Sequence, residues 1–506
     1  MTGLTGALNT SVSSLLFNQT AMSTISHNLA NVNNENFSRQ EIQPSATFVN
    51  GFGSGVSLDG VIRRVDEQLQ AELTGQISNR SFAETTKRFM ENVEILFGRP
   101  NDGNNINDVL SNVFTQFNNV AGQPESSSQR LNAVNQLQFM AEQLNSVDSQ
   151  LFNLRQTLDG ELNNRLTSTN RAIEQINELN REIAVTRNSN TGGQNTNDLE
   201  DARREQINFL AERINVDVIF DKNNRAIINS ANGSQIVTSG GFSQLERTAA
   251  SPPATFDDIG LRSINGDGTP ANFLLPFDTD RLTGGSLKSL IEVRDIQIPD
   301  IKAQLDEFAR VTIETLNEVH SRGVGTPPPS SLTSAPLTTP GVDLFSEIGL
   351  TPGASFDVSQ IDQATGNAIN TTTVTLPGPP APATYSGTDL ENDINAALGG
   401  FPGTFQADFS GGQLTIEDTS GTDGVALGND TDDFLGKIVM NPLLDGTDAG
   451  TIGVRQDIQN QPGLFATAQM RAADGGVSFN NNANVVELTK VGSENQTFNA
   501  VGGLSP

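Results

Sequence analysis

Between Ser126 and Thr186 apolar residues recur at steps of three, four and seven on one seam, at Leu144, Val147, Leu151, Leu154, Leu158, Leu162, Leu166, Ile173, Ile176 and Ile183. Residues three and four apart share one face of a helix, so the spacing predicts a single long helix with a coiled-coil-like seam. The four-residue steps from Leu154 to Leu166 relax left-handed supercoiling over that stretch. Unbroken, such a helix is roughly 90 Å long at about 1.5 Å per residue, a rod suited to a spacer. The 506 residues exceed what one ordinary core holds and fit about three domains.

The segments on either side divide by pattern. Upstream, Leu4, Leu8, Val12, Leu15, Met22, Ile25 and Leu29 make a narrow apolar stripe on a predicted helix whose other faces are Thr, Ser and Asn. Such a helix is marginal alone in water and needs a partner along its seam, either its own domain or another helix. Alternation then carries the chain through Phe48 and Val56 to Val61 as extended, hairpin-like structure, and a second helix is predicted from Asp66 to Phe97. Turn residues at 99–105 stop it, and Phe114 and Phe117 mark another short helix. Beyond a polar linker at 188–197, Val216, Val218 and Phe220 alternate as a strand, and Asn232-Gly233 signals a tight turn. A helix returns over 301–320, and Pro, Gly, Thr and Ser dominate from Gly325 onward. The expected fold is α+β and multidomain, with long helical inner domains and β-rich outer ones. Its divisions are an axial helix and loop at 1–50, a long-helix domain at 51–190, a mixed α/β domain at 191–325 completed by 446–506, and a β-rich outer domain at 326–445.

Composition removes whole classes of function. The 59 acidic residues against 30 basic ones give a net charge of −29, which repels nucleic acid and anionic membrane surfaces, so neither is an expected partner. With no cysteine there are no disulfides, thiolate metal sites or cysteine nucleophiles. The first residues lack the basic and apolar regions of a cleaved secretory signal, and no apolar run approaches the roughly 20 residues of a membrane helix. The glycine run at 51–55 enters an extended segment rather than a helix, which suits a turn better than a phosphate loop. His320 follows Glu314 and Glu318, but no second histidine completes a metal site. With only His27 and His320 and no nucleophile-elbow motif, neither a catalytic residue, a metal nor a cofactor is assigned.

Asn28, Ala30 and Asn31, continuing through Asn36, Phe37, Ser38, Arg39 and Gln40, resemble the amino-terminal signature of flagellar rod, hook and hook-associated proteins. Later runs keep a family order: Arg63-Arg64-Val65-Asp66, Asn177 to Asn180, Asn197-Asp198-Leu199, Arg294-Asp295, then Asn317, His320 and Gly323. Taken together these are similar to the family of the first hook-associated protein, the FlgK family. The resemblance departs at Asn36, where the family usually has glycine, and at Arg204, where it commonly has Asp. It implies an exported structural component of the flagellum, at the hook–filament junction and needed for filament assembly, that is not an enzyme. Implied partners are further copies in a ring or helical array, the hook protein, other hook-associated proteins and an export chaperone. It also implies that the Leu4–Leu29 stripe makes subunit contacts and that Arg294, Asp295, Asn317, His320 and Gly323 are second-domain structural residues, while Leu144, Leu151, Leu158, Leu166, Ile173, Ile176 and Ile183 form the long-helix seam by their spacing alone. The family's carboxyl-terminal helical segment is expected to be missing from these residues. From another class, a secreted acidic adhesin or binding module on a helical stalk would use residues 325–450.

Overall fold

The computed structural model describes residues 2–34, 36–49, 52–98, 105–188, 196–249, 256–337, 343–379, 382 and 384–501. Gly51, the turn at 99–104, the linker at 189–195 and the closing residues 502–506 lie outside the described residues.

Helix α1 (Thr2–Ala30) leads to a hairpin of β1 (Gln40–Val49) and β2 (Phe52–Arg63), then to α2 (Glu67–Leu96), α3 (Ile106–Gly122), α4 (Ser127–Asn188) and α5 (Asn197–Ala211). A meander follows, in which β3 (Val216–Phe220), β4 (Ala226–Ser230), β5 (Gln235–Val237), β6 (Gly241–Thr248), β7 (Asp258–Asn265) and β8 (Leu275–Pro276) form one six-stranded antiparallel sheet in sequence order. Next come α6 (Ser286–Glu292), a π-helical turn at Val293–Gln297, and α7 (Ile298–Ser321). The chain continues through β9 (Ser331–Thr333), α8 (Leu344–Glu347), β10 (Ser355–Ile361), β11 (Ala368–Thr375), α9 (Gly387–Ala397), β12 (Phe405–Ser410), β13 (Gln413–Asp418) and β14 (Gly424–Gly428). It ends with α10 (Phe434–Lys437), the short pair β15 (Leu444–Asp445) and β16 (Gly453–Val454), α11 (Gln456–Asn460) and α12 (Ala483–Val491). The fold is α+β.

Two compact units divide the chain, one of residues 1–92 and 154–297, the other of 93–153 and 298–506, so the division falls within α4. In the first unit, Leu158, Leu166, Ile173, Ile176 and Ile183 of α4 are buried, as are the inward residues Ala226, Ile228, Val237 and Leu245 of the sheet. The hairpin β1–β2 carries a register shift between Gln43 and Pro44, where proline has no N–H to give the ladder. In the second unit, Leu144 and Leu151 of α4 are buried, together with Val109, Val113, Phe117 and Val120 of α3 at helical spacing. A separate core inside that unit fills the space around the sheets β11–β10–β14 and β12–β13–β9, with Phe356 stacked on Phe434 at 4.1 Å between ring centroids.

Strand edges are closed by helix-borne asparagines. A side-chain amide has one donor and one acceptor side, so it can replace a neighbouring strand at one residue. Asn28 of α1 does this for Gln40, giving to its carbonyl at 2.8 Å and accepting from its N–H at 2.9 Å. Asn170 and Asn180 of α4 hold Leu245 and Ala226 in the same way, all four bonds at 2.8 Å, and Asn395 of α9 holds Ala407. Unpaired backbone at a sheet edge invites pairing with another chain, and each bracket removes one such opening.

Candidate functional site

The amino-terminal signature is a loop pinned to the start of α5. Asn31–Asn34 end α1 in turns, with the Asn31 amide donating to the His27 carbonyl at 3.1 Å. Phe37 packs edge-on against His27 at 5.3 Å between ring centroids. The first turn of α5 carries Asp198 and Glu200, where the helix dipole favours negative charge. From there, Asp198 accepts from Gln40 Nε2 at 3.2 Å, and Asp201 accepts from the Ser38 N–H at 3.3 Å. Arg63, at the end of β2, ties both partners together: its Nη1 meets Glu200 at 2.9 Å, and its Nη2 meets Asp201 at 2.5 Å and Ser38 Oγ at 3.0 Å. Asn36 Oδ1 accepts from Asn208 of α5 at 2.9 Å, so its side chain anchors the loop as a glycine could not. Arg39 stays exposed beside Glu41 at 3.2 Å, and Ala30 is an exposed last helical residue.

The α1 stripe points elsewhere. Leu4, Leu8, Val12, Leu15, Met22, Ile25 and Leu29 are all exposed, Leu4 at 84%, Leu15 at 69% and Leu29 at 71%. The face toward β2 is the polar one: Gly55, at φ +115°, comes so close to α1 that an added Cβ would overlap Ser13 Oγ, and Thr24 is buried. Of the two readings of the stripe, the described residues therefore do not supply a covering domain.

A second set lies along α7 in the second unit. Asn317, His320 and Gly323 recur every third residue and face the returning chain. The Asn317 amide donates to the Leu444 carbonyl and accepts from the N–H groups of Leu443 and Leu444, each at 2.8 Å. His320 is fully buried, with Nδ1 at 2.8 Å from the Asn441 carbonyl and Nε2 accepting from the Ala466 N–H at 2.9 Å. These partners define the tautomer with the proton on Nδ1 and leave neither nitrogen free for a metal. Burial pushes the His320 pKa down to about 3, the Asn441 bond opposing, with Arg455 and Asp457 acting in opposite directions. Gly323 faces the Asn484 amide, which a Cβ would overlap.

Arg294 and Asp295 sit in the first unit, in a charged knot on the π-helical turn. Arg294, 2% exposed, bonds to Asp159 and grips Asp295 with Nε at 3.0 Å and Nη2 at 2.7 Å. Asp159 also takes Arg247 at 2.5 Å, and Arg155 donates to the Arg294 carbonyl at 2.8 Å. The guanidiniums of Arg155 and Arg294 lie 5.0 and 5.1 Å from the Phe256 ring. Sequence reasoning assigned no role to Arg63, Asp159, Asp198 or Asp201; the acidic start of α5 was the available signal for two of them.

Residues 90–330 match the family model of the flagellar hook-associated protein FlgK helical domain, a span that holds the Arg294 knot and the Asn317 row. Flagellar hook-associated protein 1 of Salmonella typhimurium is 24% identical over 451 residues, 87% of this chain and 76% of that protein. Its counterpart in Bacillus subtilis is 25% identical over 358 residues, 64% of this chain and 68% of that protein. The chain is thus similar to flagellar hook-associated proteins of the FlgK family, whose helical-domain model its central segment matches. The solved flagellar hook junction protein FlgK from Burkholderia pseudomallei is 21% identical, with a TM-score of 0.43, covering 75% of this chain and 66% of that one. No helix among the described residues is long and apolar enough to cross a membrane.

Proposed function

We propose that this chain forms the junction between hook and filament and that filament growth depends on it, as a structural subunit and not as an enzyme. The exposed stripe of α1 carries this reading, because a helix pinned at its end by the signature loop and bare along Leu4–Leu29 is built to be covered by other subunits. Each leucine buried there contributes roughly 1.5–3 kcal/mol, against the cost of ordering the partners. Partners on this reading are further copies in a ring or helical array, the hook protein, other hook-associated proteins and an export chaperone before assembly. The chain leaves the cell by the flagellar export route and works outside it. Export of an unfolded chain is eased by the absence of cysteine, which leaves no disulfide to reduce. The domain of residues 326–445 would face outward, with the acidic surface keeping subunits soluble.

The test is the double substitution Leu8→Asp and Leu15→Asp in the native gene. Both sites are exposed, so the isolated protein should keep its circular dichroism spectrum and melting temperature. Electron microscopy of the cells should show hooks without filaments. Normal filaments from the double variant would refute the role given to the stripe.

A further inference from the structure

Arg204 of α5 is half-buried and makes no hydrogen bond or ion pair to any described residue. It lines a cavity of about 480 Å³ within the first unit, beside Arg63 and Arg203. The same three arginines border a second cavity of about 790 Å³. Arg63, whose side chain is only 9% exposed, spends both Nη groups on Glu200, Asp201 and Ser38, while its Nε is buried without an acceptor. Arg203 bonds to uncharged groups, Asn180 Oδ1 at 2.9 Å and the Asn224 carbonyl at 2.5 Å, and packs its guanidinium 4.9 Å from the Phe220 ring. Glu67 borders the cavity but is exposed. The rest of the wall sets apolar Ile207, Val216 and Val218 beside the carboxylates of Glu200 and Asp217.

The Nε of Arg204 is buried without an acceptor, which is costly, and a charge-assisted bond from the guanidinium to an anion offsets part of that cost. The volume lies within the roughly 300–1,000 Å³ of small-ligand sites. Glu200 and Asp217 in the wall disfavour a dianion such as phosphate, and the apolar residues beside them give a bare inorganic ion nothing to bury. We propose that this cavity takes a carboxylate carried on an apolar body, with Arg204 holding the carboxylate and the Ile207–Val218 wall covering the apolar part. That group belongs either to a free aliphatic acid or to an apolar-flanked carboxylate of a second copy of the chain.

Calorimetric titration of the full chain with sodium octanoate tests the site, with octanamide and inorganic phosphate as controls and Arg204→Gln as the variant. Saturable one-to-one octanoate binding is expected, weakened at least tenfold in Arg204→Gln, with no heat of binding from octanamide or phosphate. An unchanged circular dichroism spectrum shows that the variant is folded, and Arg204→Lys, which restores the charge, should regain part of the affinity. Sedimentation of the two chains separates the sources: self-association lost in Arg204→Gln and competed by octanoate assigns the carboxylate to a second copy, and self-association unaffected by either assigns it to a free acid. Equal octanoate binding by wild type and Arg204→Gln, or no saturable binding together with unchanged self-association, would overturn the proposal.

Discussion

Between pH 6.5 and 4.5 the second unit should lose stability through one side chain, His320. In the folded protein its imidazole is held neutral down to about pH 3, chiefly by burial, whereas an unfolded chain protonates it at the ordinary 6.5. The folded pKa lies below the unfolded one, so the unfolded state binds the proton first. The contribution is therefore fully present above the unfolded value and is lost as pH falls toward the folded one, at about 1.4 kcal/mol per pH unit. At pH 4.5 the loss is about 3 kcal/mol, a large share of the roughly 5–15 kcal/mol that holds a domain folded. Urea unfolding at pH 7.5, 5.5 and 4.5, followed by the fluorescence of Tyr385, measures it. Tyr385 is the sole tyrosine in a chain without tryptophan, and it is buried in the second unit. His320→Gln keeps an acceptor for the Ala466 N–H but cannot titrate. It should be about 2–3 kcal/mol less stable at pH 7.5, for the lost bond and imperfect packing, and should approach wild type at pH 4.5. Other groups cancel between the two chains, among them Glu307, drawn down to about 2 by the Arg310 bond, and Asp445, raised by burial. Parallel stability curves for wild type and His320→Gln would refute the reasoning.

Asn317→Asp exchanges the buried donor to the Leu444 carbonyl for an acceptor and should cost about 3 kcal/mol in urea unfolding, whereas Asn317→Ser should cost less. Gly323→Ala drives a methyl into the Asn484 amide and should lower stability by about 1–3 kcal/mol, with Asn484→Ala in the same chain recovering part of it. Asp159→Asn removes the charge shared by Arg247 and Arg294 and should destabilise the first unit by about 3–5 kcal/mol; hydrogen exchange of the sheet around Leu245 reports it, while Tyr385 should be silent.

Periodicity made the helices readable, and alternation the β1–β2 hairpin and β3. The seam predicted over 126–186 is the helix Ser127–Asn188, and the segment predicted over 301–320 is Ile298–Ser321, because each presents an apolar face long enough to outweigh single-residue preferences. Helix α9 lies in a stretch read as β-rich; the box formed by Ser386 and Asp389, with Leu390 and Ile394 four apart, was its signal. The pairing of β9 with β13 was not readable, since the partners lie about eighty residues apart and neither carries a marker of the other. The site divided in the same way. Asn28 and Asn317 were named through a resemblance, but what they do, replacing a missing strand neighbour, is written in no local pattern. Asn180, named only within the run Asn177 to Asn180, does the same on α4, as does Asn170, which no motif marks. Asp159 reads as a solvated residue next to Leu158, and only folding brings it to Arg247 and Arg294.

Helix α1 resolves a tension that its sequence leaves open, namely why an apolar stripe should be backed by Thr and Ser rather than by Lys and Glu. From Thr2 to Ser26 it has no charged residue. The hydroxyls of Thr10, Ser11, Thr20 and Thr24 each donate back to the carbonyl four residues earlier, at 3.0–3.1 Å. A charged face would oblige one side of the helix to stay in water, because moving an unpaired charge out of water costs several kcal/mol or more. Hydroxyls already satisfied within the helix carry no such obligation, so both the stripe and its flanks can be covered at once, as a subunit packed on several sides requires. The same economy costs the free chain some solubility along α1, which the net charge of −29 offsets.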